Sequence, residues 1–211
     1  MSAAGWAWAA LAIYVVGLIM AFGVRTWLQL RQTGSSGFRG ISGRPTSLAW
    51  WAGVLFPAAA LLMLCAPVLV LTGASSVWPS LVHPVIATAG LTLAVAGLVV
   101  VLIAQTAMGS SWRIGVDESE RTQLVTDGPF RLVRNPIFTG MAMVTLGVTL
   151  MVPTFIAAVA VITLVASVEI QVRLVEEPYL LRVHGDTYAR YAATTGRFLP
   201  MLGRIRSTGA R

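Results

Sequence analysis

Two polar clusters stand at the ends of long apolar runs: Arg134-Asn135-Pro136-Ile137-Phe138-Thr139-Gly140 opens one run, and Glu176-Glu177 follows the next. A guanidinium beside a helix start suits an anion such as a carboxylate, and paired carboxylates suit a cation. Asn135 is a good N-cap residue, because its side-chain oxygen can accept from an N–H of the first turn, and Pro136 suits the first helical position. The sequence therefore predicts a helix from Pro136, with its free N–H groups and Arg134 facing an aqueous boundary. More polar side chains follow at Arg173, Arg182, His184, Asp186, Tyr188, Arg190, Tyr191 and Arg197. The preceding loop, 109–135, holds Trp112, Arg113, Asp117, Glu118, Glu120 and the turn signal Thr126-Asp127-Gly128-Pro129.

Each group also has a simpler reading. On position alone, Arg134 equally suits a side chain snorkelling at a membrane interface, and Glu176 and Glu177 equally suit helical ion pairs with Arg173. Asn135-Pro136 taken singly is a cap. Glu169 is harder to set aside, since it falls inside an apolar run where an ionisable group faces a cavity or a partner; Gln105 is a candidate partner.

The elements that must position these residues are membrane helices. The chain has 211 residues, of which 56% are hydrophobic and 11% charged, well below the roughly 25% charged residues of soluble domains. About 20 apolar residues span a bilayer, and the runs Gly5–Val24, Leu48–Thr72, Leu81–Met108, Pro136–Val152 and Phe155–Val172 approach or meet that length. The last two are short and separated by Pro153-Thr154, which predicts a tight helical hairpin. A four-span arrangement with that hairpin partly re-entrant is also compatible. The expected fold is thus all-α, a polytopic membrane protein of five helices forming one domain over 1–211, with the first three spans in 1–104 and the chemistry in 105–200.

All fifteen basic residues are Arg, confined to 25–44, 113–134 and 173–211, while 73–80 and Pro153-Thr154 carry no charge. The positive-inside rule then places the N-terminus outside and the C-terminus in the cytosol of a cell inner membrane. Trp6, Trp8 and Trp78 fall at expected outer ends and Trp27, Trp50, Trp51 and Trp112 at inner ends, where aromatic rings anchor helices. Met1–Ala4 lacks the basic start of a secretory signal, so the first run is expected to remain as a helix. The net charge of +7 reflects topology and anionic headgroups better than nucleic acid. Cys65, His83 and His184 are too scattered for a metal site. The chain carries no Gly-x-Gly-x-x-Gly, no phosphate-binding Gly-Lys-Ser/Thr and no Gly-x-Ser-x-Gly, which argues against the soluble nucleotide and hydrolase folds.

The run Gly128-Pro129-Phe130-Arg131-Leu132-Val133-Arg134-Asn135-Pro136-Ile137-Phe138-Thr139-Gly140, then Arg173-Leu174-Val175-Glu176-Glu177, Gly185-Asp186-Thr187-Tyr188-Ala189-Arg190-Tyr191 and Arg197-Phe198-Leu199-Pro200, resembles the isoprenylcysteine carboxyl methyltransferase and phospholipid methyltransferase superfamily. The resemblance covers about 105–200. It implies a helical membrane enzyme that binds S-adenosylmethionine at the cytosolic end and takes a lipid or lipidated acceptor, such as a prenylcysteine carboxylate, from the bilayer. It assigns the donor to Arg134, Asn135, Pro136, Glu176 and Glu177. Asn135 stands where that family commonly has His, and Phe138 where it commonly has Tyr. Chemically, Glu176 or Glu177 can take the donor's ammonium, Arg134 and the helix start its carboxylate, and Tyr188 or Tyr191 its adenine. Arg190 or Arg197 can orient a carboxylate acceptor, and Asp186 or a Glu can take a proton from an amine acceptor. Two other classes fit the residues: a nicotinamide-dependent membrane reductase, since sterol reductases share a similar C-terminal bundle, and a non-enzymatic transporter or assembly protein using Glu169.

Overall fold

The computed structural model describes residues 1–38, 40–112 and 123–205, and within them the chain is helical. Arg113, Asp117, Glu118 and Glu120 of the acidic loop lie outside the described residues, as does Arg206. Helix α1 (Ala3–Leu18) continues through a π-helical turn, Ile19–Val24, into α2 (Arg25–Thr33). Then come α3 (Leu48–Leu71), α4 (Pro84–Met108), α5 (Pro136–Met151) and α6 (Phe155–Gln171), which passes through a second π-helical turn, Val172–Glu176, into α7 (Glu177–Thr194).

Local chemistry sets most of the starts. Ser2, Ser47 and Thr154 each accept from an N–H three residues on, at 3.2 Å, capping α1, α3 and α6. At α4 the cap is His83, whose Nδ1 accepts from Val85 N at 3.2 Å. The apolar run was expected to become helical at Leu81, but Pro79–Leu81 forms a short 3-10 turn before this cap. Pro178 has no N–H with which to continue a helical ladder, and the turn before it is π-helical rather than broken. The path from Phe155 to Thr194 is therefore helical apart from a kink at Gly185, passing well beyond the expected end at Val172.

Among the described residues four runs are long and apolar enough to cross a membrane: Ala3–Thr33, Leu48–Leu71, Pro84–Met108 and Phe155–Thr194. The chain is an integral membrane protein of helical architecture. Helix α5 is shorter: its 16 residues rise about 24 Å against the roughly 30 Å hydrocarbon core. Residues 152–154 separate it from α6. Large apolar side chains such as Val99, Ile103, Phe155 and Ile162 are exposed on the outside of the bundle, whereas the buried positions are largely alanine, glycine and valine. In lipid, small residues bring helix backbones close enough for dispersion to hold them together.

The closest approach joins α4 to α5. A Cβ on Gly90 would lie 2.6 Å from Gly147 O, and one on Gly97 would lie 2.6 Å from Gly140 O; the converse holds for Gly140 and Gly147. Two glycine pairs, each seven residues apart on its helix, thus bring the antiparallel backbones together. Helix α3 lies along α6, and α1 packs against α3, α4 and α5.

Candidate functional site

The site is built where α7 ends and α5 begins. Gly196 follows α7 at a turn with no space for a side chain, since a Cβ there would sit 2.0 Å from Leu199 O. Residues 196–198 then run beside 133–135, with a parallel bridge between Val133 and Gly196. Arg134 N donates to Gly196 O at 2.8 Å, and Asn135 N to Arg197 O at 3.1 Å. The Asn135 side chain makes a second bond to Arg197 O, from Nδ2 at 3.1 Å. It does not cap α5. The expected cap is replaced because a neighbouring carbonyl competes for the amide, and the first turn is held by the Asn135 carbonyl and by Thr139, whose hydroxyl donates to Phe198 O at 2.7 Å.

Glu177 lies at the centre. Arg134 Nη2 donates to its Oε1 at 2.6 Å, while Arg197 donates from Nε to Oε1 and from Nη2 to Oε2, both at 2.8 Å. Arg134 and Glu177 are only 5% and 6% exposed. The rest of the Arg134 fork also stays within the chain: Nη1 donates to Ala192 O and Thr195 O, and Nη2 to Gly203 O at 3.0 Å. Its Nε is buried with no partner among the described residues. Arg134 is thus no snorkelling interface residue. It ties the start of α5 to the end of α7. Two guanidinium groups against one carboxylate give the cluster a net positive charge, and the hydrogen bond to Glu177 holds the Arg197 pKa above its ordinary value against the opposing effect of burial.

The other expected residues divide. Pro136 is buried at the first position of α5. Tyr188 is 2% exposed and meets Tyr191 edge to face, with centroids 6.1 Å apart, so its ring is already covered. Tyr191 donates to Phe130 O at 2.6 Å, tying α7 to the turn Gly128–Arg131. Glu176 is half-buried beside this cluster in sequence, whereas Asp186 and Arg190 are exposed on α7 beyond the bend at Gly185, whose φ of +49° suits glycine. Arg173 pairs with Glu169, one turn back, rather than with Glu176 or Glu177. The partner of Glu169 is thus the exposed Arg173 rather than Gln105. Gln105 is buried and donates to Ala21 O, in the π-helical turn, at 2.9 Å. Trp112 is 3% exposed and lies under the Arg25 guanidinium at 4.8 Å, a buried stack rather than an interface anchor.

An apolar helical bundle closed at one end by buried Arg and Glu side chains defines an integral membrane protein with a charged site at its boundary. Residues 85–187, just under half of the chain, match the family model of phospholipid methyltransferases, which lies in the superfamily that also holds the isoprenylcysteine carboxyl methyltransferases. Similarity to that family implies a membrane methyltransferase. The match takes in α4, α5, α6 and Glu177 but stops short of Tyr188, Arg190 and Arg197. No curated protein matches the chain. Among the described residues no group of three His, Cys, Asp or Glu side chains gathers.

Proposed function

We propose that this protein transfers a methyl group from S-adenosylmethionine to a lipid or lipidated acceptor, such as a prenylcysteine carboxylate, at the cytosolic end of its bundle. The observation that carries this reading is the Arg134–Glu177–Arg197 cluster, seated against α5 in a chain with a phospholipid methyltransferase segment. The chemistry of the side chains fits a zwitterionic donor. Glu177 holds Arg197 in place, Glu176 next to it supplies negative charge for an ammonium, and the half-buried Arg197 supplies positive charge for a carboxylate. The two Arg197 nitrogens turned to Glu177 are Nε and Nη2, and the Nη1 edge, which has no hydrogen bond among the described residues, is assigned to an anion. Arg134, whose two Nη groups are bonded within the chain, serves as a positioning residue for Glu177 and for the segment 195–203. Asn135 and Pro136 fix the start of α5 beside it, and Tyr188 backs Tyr191 instead of stacking on a ligand.

S-adenosylmethionine supplies a methyl on a sulfonium, whose carbon–sulfur bond pair returns to sulfur as the acceptor's lone pair takes the methyl. The chain's part is alignment in a dry site, where effective molarity can lower such a barrier by about 7–11 kcal/mol. Arg190 or Arg197 orients a carboxylate acceptor; with an amine, Asp186 or Glu176 receives the proton that is lost. The five-crossing topology, N-terminus outside and C-terminus cytosolic in an inner membrane, belongs to the same reading and puts the cluster on the side where the soluble donor is made. The test is transfer of labelled methyl from S-adenosylmethionine into a membrane lipid extract by the purified protein. Label in the lipid phase, reduced by Arg197→Lys, is expected. No lipid-phase label with any extract fraction would remove the proposal.

A further inference from the structure

The tight α4–α5 pair and the α3–α6 pair leave a gap where α1 closes over them. A cavity of about 60 Å³ lies there, lined by residues including Tyr14, Gly17, Phe56, Val101, Thr145 and Leu164. None of its lining residues is exposed. The two hydroxyls in its wall are already spent on the chain: Tyr14 donates to Ala60 O at 3.2 Å and Thr145 to Met141 O at 2.8 Å. A wall of this kind gives a water too few partners and suits hydrocarbon. A ladder of packed rings links the cavity wall to the charged site. Phe22 meets Phe56 with centroids 6.2 Å apart, and Phe56 meets Phe138, in the first turn of α5, at 6.3 Å. Phe198, next to Arg197, packs on the same cluster.

We infer that this cavity receives part of the hydrocarbon tail of the methyl acceptor, so that tail length and shape select the acceptor while its polar end lies at Arg197. This rests on the proposed function for the identity of the lipid, but not for the existence of an apolar site. Gly17 provides the control. Its backbone is helical and a Cβ there would meet only Leu98 Cδ1, at 3.7 Å, so larger side chains grow into the cavity without parting the helices.

The experiment uses the full chain in phospholipid nanodiscs containing phosphatidylethanolamine with a diazirine in mid-tail. After irradiation, adducts are mapped by mass spectrometry. Adducts are expected on the buried residues Tyr14, Val101 or Thr145, lost in Gly17→Leu and reduced in Gly17→Ala, with those on the outward-facing Val99 and Ile162 retained in both. Adducts confined to Val99, Ile162 and similar outer positions in the wild type would overturn the proposal, even if Gly17→Leu failed to fold. A second arm separates an acceptor from a resident lipid. For an acceptor, Gly17→Leu slows methyl transfer to long-tailed phosphatidylethanolamine but not to a short-tailed form. Equal effects on both forms contradict the assignment to the acceptor. Cavity adducts without methyl transfer to any lipid would instead remove the proposed function and leave the hydrocarbon site standing.

Discussion

Glu177 is the residue on which the charged end depends, because it is the shared acceptor of two guanidinium groups. Removing one member of a buried ion pair leaves an uncompensated charge, at a cost of about 3–5 kcal/mol. Glu177→Gln is therefore expected to lower the thermal unfolding temperature of the detergent-solubilised protein as well as to weaken donor binding. An unchanged unfolding temperature would show that Arg134 and Arg197 find other partners. Arg134→Lys is expected to behave differently from the same change in a snorkelling residue. A snorkelling residue tolerates lysine, but the observed fork reaches Ala192 O, Thr195 O, Gly203 O and Glu177 together, which a single ammonium cannot do. Each charged bond not remade removes about 1.5–3 kcal/mol, so a clear drop in unfolding temperature is expected. The residue types and their clustering at one end of the bundle were legible in the sequence. Their mutual pairing was not, because Arg134 and Glu177 are 43 residues apart and no local pattern encodes which guanidinium meets which carboxylate.

At the scale of elements, the antiparallel glycine pairs fix where the first turn of α5 sits relative to α4. Gly97→Ala or Gly140→Ala forces a methyl against a backbone carbonyl or its neighbours, and overpacking of this kind costs about 1–3 kcal/mol. Either variant is expected to unfold at lower temperature than Gly17→Ala, which has room for its methyl; equal effects of the three would refute the close approach. Gly90 and Gly97 stand seven residues apart on α4, but that spacing alone names no partner, and Gly140 and Gly147 emerge as theirs only once α4 and α5 are seen to lie antiparallel. Apolar length marked the helices well, since periodicity matters little when lipid surrounds a bundle. It failed at Val172, where a π-helical turn carries the chain onward into α7 instead of stopping it. Asn135 misled for a related reason: a local cap signal lost to a long-range bond with Arg197 O.

For the whole molecule, the arginine pattern and the bundle make one orientation specific enough to test. In a Cys65→Ala background, cysteine at Ser76 should react with an impermeant thiol reagent in intact cells, while cysteine at Arg31 or Arg204 should react only after permeabilisation. Labelling at position 204 from outside would reverse or reduce the number of crossings. The orientation matters because the charged cluster must face the compartment that holds the donor. The most direct measurement of the central claim is calorimetric titration of the detergent-purified protein with S-adenosylmethionine and, separately, with reduced nicotinamide cofactor. Saturable binding of S-adenosylmethionine, weakened in Glu177→Gln at a temperature where that variant remains folded, and no binding of the nicotinamide cofactor is the predicted result. Binding of the nicotinamide cofactor with none of S-adenosylmethionine would contradict the account.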